Sequence, residues 1–329
     1  MNGKIHPKQN YKYKFLNLKN MKKTIIMAVL ASAALASCDQ KELITENVES
    51  ESLKIMTSIN MIESRAGFVE KKDFTTNDEM GLFLYKSTGW GEEYPRFSSQ
   101  NNKSTKTASG WSLANDIYLL QDKAYIWAYY PYNLNVTDGT KIPVPISTTS
   151  HIDYMWGKST NQVSVVETEA IIPMKHALSQ FVLRLKVSPE YHNDGNLTSA
   201  KLKCNQAKFA TTGTMNLNDN GKITYSPSLT ELSWAPNTTV PAQGSQSVDF
   251  AAAIYPMTIS ANEVTLEVVI DGATYKYVIP EIDWTAGKRF IYSITMQSNS
   301  AEIGGEDGQT VTIEPWTSTE SDITLVPVK

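Results

Sequence analysis

The chain has 329 residues, of which 41% are hydrophobic and 19% charged. That balance excludes wholesale disorder and supplies enough apolar mass for one or two cored domains. Residues 1–37 hold seven Lys and no Asp or Glu, and the remaining 23 basic and 34 acidic residues give a net charge of −11. An acidic body argues against a nucleic-acid partner, because phosphate binding needs clustered Lys and Arg.

Met21-Lys22-Lys23 opens the first recognisable element. It is followed by TIIMAVLASAALAS and then Cys38. A charged start, an apolar run and small residues before a cut site make an export signal, and the run is too short for a stable membrane span. Leu35-Ala36-Ser37-Cys38 resembles the lipobox of bacterial lipoproteins, in which the peptidase cuts before the Cys and that Cys carries acyl chains. An ordinary secretory signal with an incidental Cys is the alternative. Residues 1–37 thus read as an upstream extension plus signal peptide, and Met21 competes with Met1 as the true start. Residues 38–52 are polar and acidic, the composition of a flexible tether. Asp39-Gln40-Lys41-Glu42 is similar to the acidic surface-export cue of some Gram-negative lipoproteins. With Cys38 lipidated, Cys204 is left as a free thiol.

From Leu53 the pattern is strand, turn, strand. Leu53, Ile55, Thr57, Ile59 and Met61 alternate with Lys54, Met56, Ser58 and Asn60, a period of two. Arg65-Ala66 follows this strand at once, and is either an ordinary turn or an accessible point of cleavage. Met80–Tyr85 is a short apolar strand. Ala124–Tyr130 is nearly continuous in apolar residues and stops at Pro131, as a strand buried on both faces does. Gln180–Val187, Val264–Ile270 and Ala273–Ile279 alternate. Asp271-Gly272 joins the last two as a hairpin turn, and Asn220-Gly221 sits similarly between Thr214–Leu217 and Lys222–Tyr225. Asp138-Gly139 marks another turn. The best helical candidate, Leu113–Gln121, is short. Ala124–Tyr132 and Phe250–Met257 echo each other, both being apolar strands that end in Tyr-Pro. The expectation is an all-β chain of two tandem β-sandwiches, residues 53–187 and 188–329.

Signatures of chemistry are sparse. HExxH, CxxC, GxSxG and P-loop patterns do not occur. His151 and Asp153 would share one face of a strand, but no third ligand is visible, so neither a metal nor a cofactor is expected. His176 reads as a strand-edge or core histidine. Asp78-Glu79 are adjacent strand or turn residues that point apart rather than a pair of catalytic carboxylates. Trp90, Trp111, Trp156 and Trp234 either stack on sugars or plug sandwich ends, and the second reading is favoured.

Several blocks in order carry a family likeness: Ser64-Arg65-Ala66, Asp78-Glu-Met-Gly-Leu-Phe83, Ala128-Tyr-Tyr-Pro-Tyr132, Asp153-Tyr-Met-Trp-Gly157, Met174-Lys-His-Ala-Leu178, Trp284–Phe290 and Val311–Trp316. Together with the lipobox they resemble the fimbrillin family, lipoprotein subunits of type V pili, over about residues 38–329. The resemblance implies transthyretin-like (Ig-like) sandwiches and a non-enzymatic subunit of fimbriae at the outer membrane surface. It implies lipidation at Cys38 and cleavage by a trypsin-like protease between Arg65 and Ala66. Removal of the first strand then opens a groove for a strand of a neighbouring subunit. Partners so implied are other fimbrial subunits, the outer membrane through the lipid, the processing protease, and host or glycan ligands. A surface glycan-binding lipoprotein is the alternative function. The tail Ile323–Lys329 either finishes its own sandwich or extends to a neighbour, with Pro327 suited to an edge strand.

Overall fold

The computed structural model describes residues 52–59, 71–94, 100–149, 152–240, 247–297, 300–302, 317–322 and 326–327. Cys38, Arg65, Ala66 and His151 lie outside the described residues. The described chain is built from strands and one turn of 3₁₀ helix, Leu217–Asp219.

The N-terminal strands are β1 (Lys54–Ile59), β2 (Glu79–Lys86), β3 (Asn102–Thr107), β4 (Gly110–Leu113), β5 (Ala124–Tyr130), β6 (Ile142–Pro143), β7 (Met155–Lys158) and β8 (Glu169–His176). Next come β9 (Ser179–Val187), β10 (Gly195–Cys204), β11 (Thr214–Asn216), β12 (Lys222–Thr224), β13 (Glu231–Trp234) and β14 (Thr238–Val240). They are followed by β15 (Val248–Ile254), β16 (Met257–Ile259), β17 (Val264–Ile270), β18 (Ala273–Val278) and β19 (Ile282–Trp284). The last are β20 (Lys288–Gln297), β21 (Ser300–Glu302), β22 (Thr317–Asp322) and β23 (Val326–Pro327).

Seven N-terminal strands form one sheet in the order β1-β8-β7-β5-β2-β3-β4. The sheet curls. Met80, Leu82 and Leu84 of β2, Ile126 and Ala128 of β5, and Ala170, Ile172 and Met174 of β8 share one core with Ile55 and Ile59 of β1. Trp111 and Leu113 of β4 pack against the same core, so the two ends of the sheet face each other across it. The segment after β4 is not helical. Ile117 and Leu119 turn inward to this core while Tyr118 between them is exposed, a period of two that the short apolar run concealed.

The C-terminal strands make two sheets face to face. One has the order β15-β9-β20-β21, with β22 also on β20; the other is β13-β10-β17-β18-β23, with β14 also on β10. Phe181, Leu183 and Leu185 of β9 and Phe290, Tyr292 and Ile294 of β20 meet Leu197 and Leu202 of β10 and Leu266, Val268 and Ile270 of β17 between the sheets. Asp271 and Gly272 both have positive φ, 49° and 78°, as the hairpin between β17 and β18 requires. The Asn220-Gly221 turn is longer than the sequence suggested: the 3₁₀ turn stands between β11 and β12, whose register pairs Asn216 with Lys222. β23 pairs antiparallel with β18, so Pro327 does occupy an edge strand.

A third core joins the two sets of strands. Phe83 and Tyr85 of β2 and Trp127 and Tyr129 of β5 point away from the curled sheet's own core. They meet Val182 of β9, Ala251 and Ala253 of β15, Tyr255 just after β15, and Ile291 of β20. β5 and the Phe181–Leu183 part of β9 are therefore each buried on both faces, which explains the nearly unbroken apolar sequence of β5 and the short apolar run within β9. β6 pairs with β11 in a small sheet of its own with β12, and Val144 N donates to Gly213 O at 2.9 Å. β9 hydrogen-bonds to β15 and β20 and thus groups with the strands beyond residue 187. By sheet membership the chain divides between His176 and Ser179. Its halves share an apolar layer rather than hanging on a polar linker.

Candidate functional site

β1 is the first described strand and lies at one end of the curled sheet, paired in parallel with β8 from Lys54↔Glu169 to Ile59↔Met174. Its alternation fixes its faces. Leu53, Ile55 and Ile59 are 5%, 7% and 8% exposed and join the core, whereas Met56 is 53% exposed on the outer face. Both walls of its groove hold it by backbone. Lys54 N donates to Thr168 O at 2.8 Å on the β8 side, and Leu53 N donates to Ile117 O at 3.0 Å on the other. Beyond that point the second wall is β4, which reaches β1 through one side-chain hydrogen bond, Trp111 Nε1 to Thr57 Oγ1 at 2.9 Å.

The chain is next described at Lys71, where it is anchored without help from β1. Lys71 N donates to Asp153 Oδ2 at 3.2 Å, and its ammonium lies 2.7 Å from Asp78 Oδ2 and over the Tyr130 ring. Phe74 is buried, with Trp111 and Tyr130 edge-on at 5.1 and 5.4 Å. Burial opposes ionisation of Asp78. Hydrogen bonds from Lys71, Thr75 and Tyr130, with the Lys71 charge, outweigh it and hold the carboxyl below its usual range. The same burial, and then Asp78 itself, push the Tyr130 phenol upward.

His151 lies outside the described residues, so the pairing of His151 with Asp153 is not described. Asp153 accepts from the buried His176 ring, Nδ1 to Oδ1 at 2.8 Å, so both are core groups. Among the described residues no cluster of three His, Cys, Asp or Glu is placed to hold a metal. Asp78 and Glu79 part company as their positions suggested. Asp78 accepts from Thr75 N at 2.6 Å in the turn, and Glu79 accepts from Lys103 Nζ on β3 at 2.8 Å.

The tryptophans are packed, not presented. Trp90 wedges between Tyr85 and Trp127, with ring centroids at 4.3 and 5.2 Å. Trp156 lies against the Gly221 turn so closely that an added Cβ there would sit 2.1 Å from its Cδ1. Trp234 is buried and stacked on Phe181 at 5.8 Å. Cys204 is a free, half-buried thiol, pushed up to about 11 by burial and secondarily by Glu263, and so is protonated and unreactive at neutral pH.

The sequence singled out β1 and the Arg65–Ala66 bond after it. The structure places β1 in the core, while the bond, like Cys38, is outside the described residues. The role of Trp111 was not legible: it read as one aromatic plug among four, and only the curl of the sheet brings it to Thr57, which is 54 positions away.

Comparisons with known proteins agree with this fold. Among solved structures, a candidate cell adhesion protein from Bacteroides ovatus has a TM-score of 0.57 at 16% identity, covering 85% of this chain and 96% of its own. A second candidate cell adhesion protein, from Bacteroides uniformis, has a TM-score of 0.54 at 17% identity, covering 77% and 96%. At these identities the likeness establishes the fold alone. No curated protein matches this chain. The family model described as fimbrillin-like matches residues 64–316. That span takes in most of the sequence, from the segment after β1 to the approach of β22, and so the chain belongs to the fimbrillin-like family.

Proposed function

We propose that this chain is a structural and adhesive subunit of fimbriae, without enzymatic activity, which reaches the outer membrane surface as a lipoprotein acylated at Cys38. Family membership supports association with other fimbrial subunits. Cleavage between Arg65 and Ala66 removes β1 together with the lipid anchor. A strand from a neighbouring subunit then takes its place. Two tandem sandwiches, divided between β8 and β9, give each subunit its length.

The observation that carries this reading is the position of β1. It is an end strand, yet with Leu53 just before it, it supplies three buried side chains to a core. Burying three aliphatic side chains is worth roughly 5–9 kcal/mol gross, at about 1.5–3 kcal/mol each, before ordering costs. Its loss would also strand backbone donors and acceptors along β8. A vacated groove therefore binds a new strand strongly. The chain beyond the bond is separately secured at Lys71 and Phe74, so the rest of the sheet keeps its place when β1 leaves. The sugar-stacking alternative loses its motive, because Trp90 and Trp156 are committed to packing.

The test is to recover surface fibres from cells expressing the chain and sequence the amino terminus of the assembled subunit. A start at Ala66 is expected. Assembled subunits that all begin at an acylated Cys38 would overturn the exchange step.

A further inference from the structure

Of the inward-facing positions on β1, one is polar. Leu53, Ile55 and Ile59 are buried, and Thr57 between them is half-buried with its hydroxyl on the Trp111 indole. An indole N–H only donates, so it needs an acceptor wherever it is shielded from water. Trp111 is fixed by groups that do not belong to β1: Phe74 stands edge-on at 5.1 Å, and the Lys106 ammonium lies 5.9 Å from the ring centroid. When β1 leaves, the donor therefore stays where it was, aimed into the groove.

We propose that Trp111 selects the strand that replaces β1. This rests on the strand release proposed above. The occupant is an extended segment of another fimbrial subunit, running parallel to β8. It carries a Ser, Thr or Asn opposite Ile172, flanked two residues away on each side by apolar side chains opposite Ala170 and Met174, as Ile55, Thr57 and Ile59 are now. A further apolar side chain precedes them in the place of Leu53.

This chain's own tail does not meet that requirement. Set in parallel with Ile323 and Leu325 on the places of Leu53 and Ile55, it puts Pro327 where Thr57 stands and Lys329 in the pocket of Ile59. Reversed, with Val328 and Val326 in the first two places, it brings Thr324 to Trp111 but drives Asp322 into the apolar pocket of Ile59. In these two registers the tail misses at least one of the four positions, so the groove favours a segment that repeats the β1 pattern over this tail.

The experiment uses the full chain nicked by trypsin after Arg65, with the nick verified by mass. Labelled peptides of residues 50–62 are exchanged into the groove and competed with unlabelled ones. The native peptide and its Thr57→Ser form are expected to bind alike. Thr57→Val keeps the shape but loses the acceptor, and should bind about tenfold more weakly. A peptide of tail residues 321–329 should be weaker than native by at least about tenfold. In a Trp111→Phe chain the native and Thr57→Val peptides should become equivalent. Equal binding of native and Thr57→Val by the unsubstituted chain, or tight binding of the tail peptide, would overturn the selection while leaving strand release intact. A nicked chain that keeps its own strand and takes up no peptide overturns release and selection together. The peptide series needs no variant of the folded chain, so misfolding of Trp111→Phe would not rescue the idea.

Discussion

β1 and β9 both supply alternate side chains to a core, yet they are secured very differently. β1 has one sheet neighbour and fills one core from one face. β9 lies between β15 and β20 and fills two cores, Phe181 and Leu183 on one side and Val182 on the other. Loss of the first would disturb a single apolar layer. The second is common to the C-terminal sandwich and to the layer that joins it to the curled sheet. The strand exchange proposed above would draw on both kinds of strand, an end that touches one core and a spine that touches two.

The strongest way to break this comparison is to cut into the spine. Phe181 is fully buried between the C-terminal sheets, against Trp234, Trp284 and Tyr292. Phe181→Ala is expected to lose about 3–5 kcal/mol, read as a shift in the denaturant midpoint at constant slope. Because β9 also backs the joining core, hydrogen exchange should accelerate in β5 as well as in β17. Acceleration confined to the C-terminal sheets would show that β9 does not couple the two halves.

Ile55→Ala is the matching cut in the end strand. Its side chain is 7% exposed, and its loss should take about 2–5 kcal/mol from the curled sheet. Here exchange should quicken along β8 and β2 while β17 and β20 stay protected, because local opening follows the contacts that are lost. A uniform loss of protection throughout the chain would mean that β1 is part of the spine after all.

Gly221→Ala tests the joint between the halves. The residue has a φ of 69°, and an added Cβ would lie 2.1 Å from Trp156 Cδ1 on β7. Overpacking of this kind usually takes about 1–3 kcal/mol, and the left-handed backbone adds to it. A second change, Trp156→Ala, should make the two losses less than additive, because the clash disappears with the indole. Full additivity would place the strain in the turn alone.

The strands on which these experiments act were largely legible. β1, β2, β5, β9 and the hairpin of β17 and β18 show themselves because burial on one face imposes alternation and burial on two imposes a continuous apolar run. What could not be read is which faces meet. The even-numbered side chains of β5 look into one core and Trp127 and Tyr129 into another, but the partners of both come from distant segments. A division at residue 187 followed from where an alternating strand ended, whereas pairing assigns that strand to the C-terminal sheets. The pairs Asp153 with His176 and Trp111 with Thr57 were hidden for the same reason. Each joins residues whose proximity depends on strand order, and spacing in sequence carries no record of that.

Asp78 offers the smallest effect, resolved by its pH dependence and not by its size. It holds Lys71 at 2.7 Å and accepts from Tyr130 Oη at 3.1 Å, which secures the chain just downstream of the proposed cut. Its carboxyl is held below the ordinary range, because those hydrogen bonds and the Lys71 charge outweigh its burial. A carboxyl whose folded-state pKa is depressed gives stability above its unfolded-state value and loses it as the pH falls through the folded-state value. Asp78→Asn removes the charge and keeps one oxygen, which can accept from Thr75 or from Tyr130 but not from both. It should therefore lower stability at pH 7, and the gap to the unchanged chain should close below about pH 4 as Asp78 itself becomes protonated. A gap of the same size at pH 7 and about pH 2.5 would assign the contribution to shape rather than charge, and with it would go the electrostatic part of the anchor on which the proposed release of β1 relies.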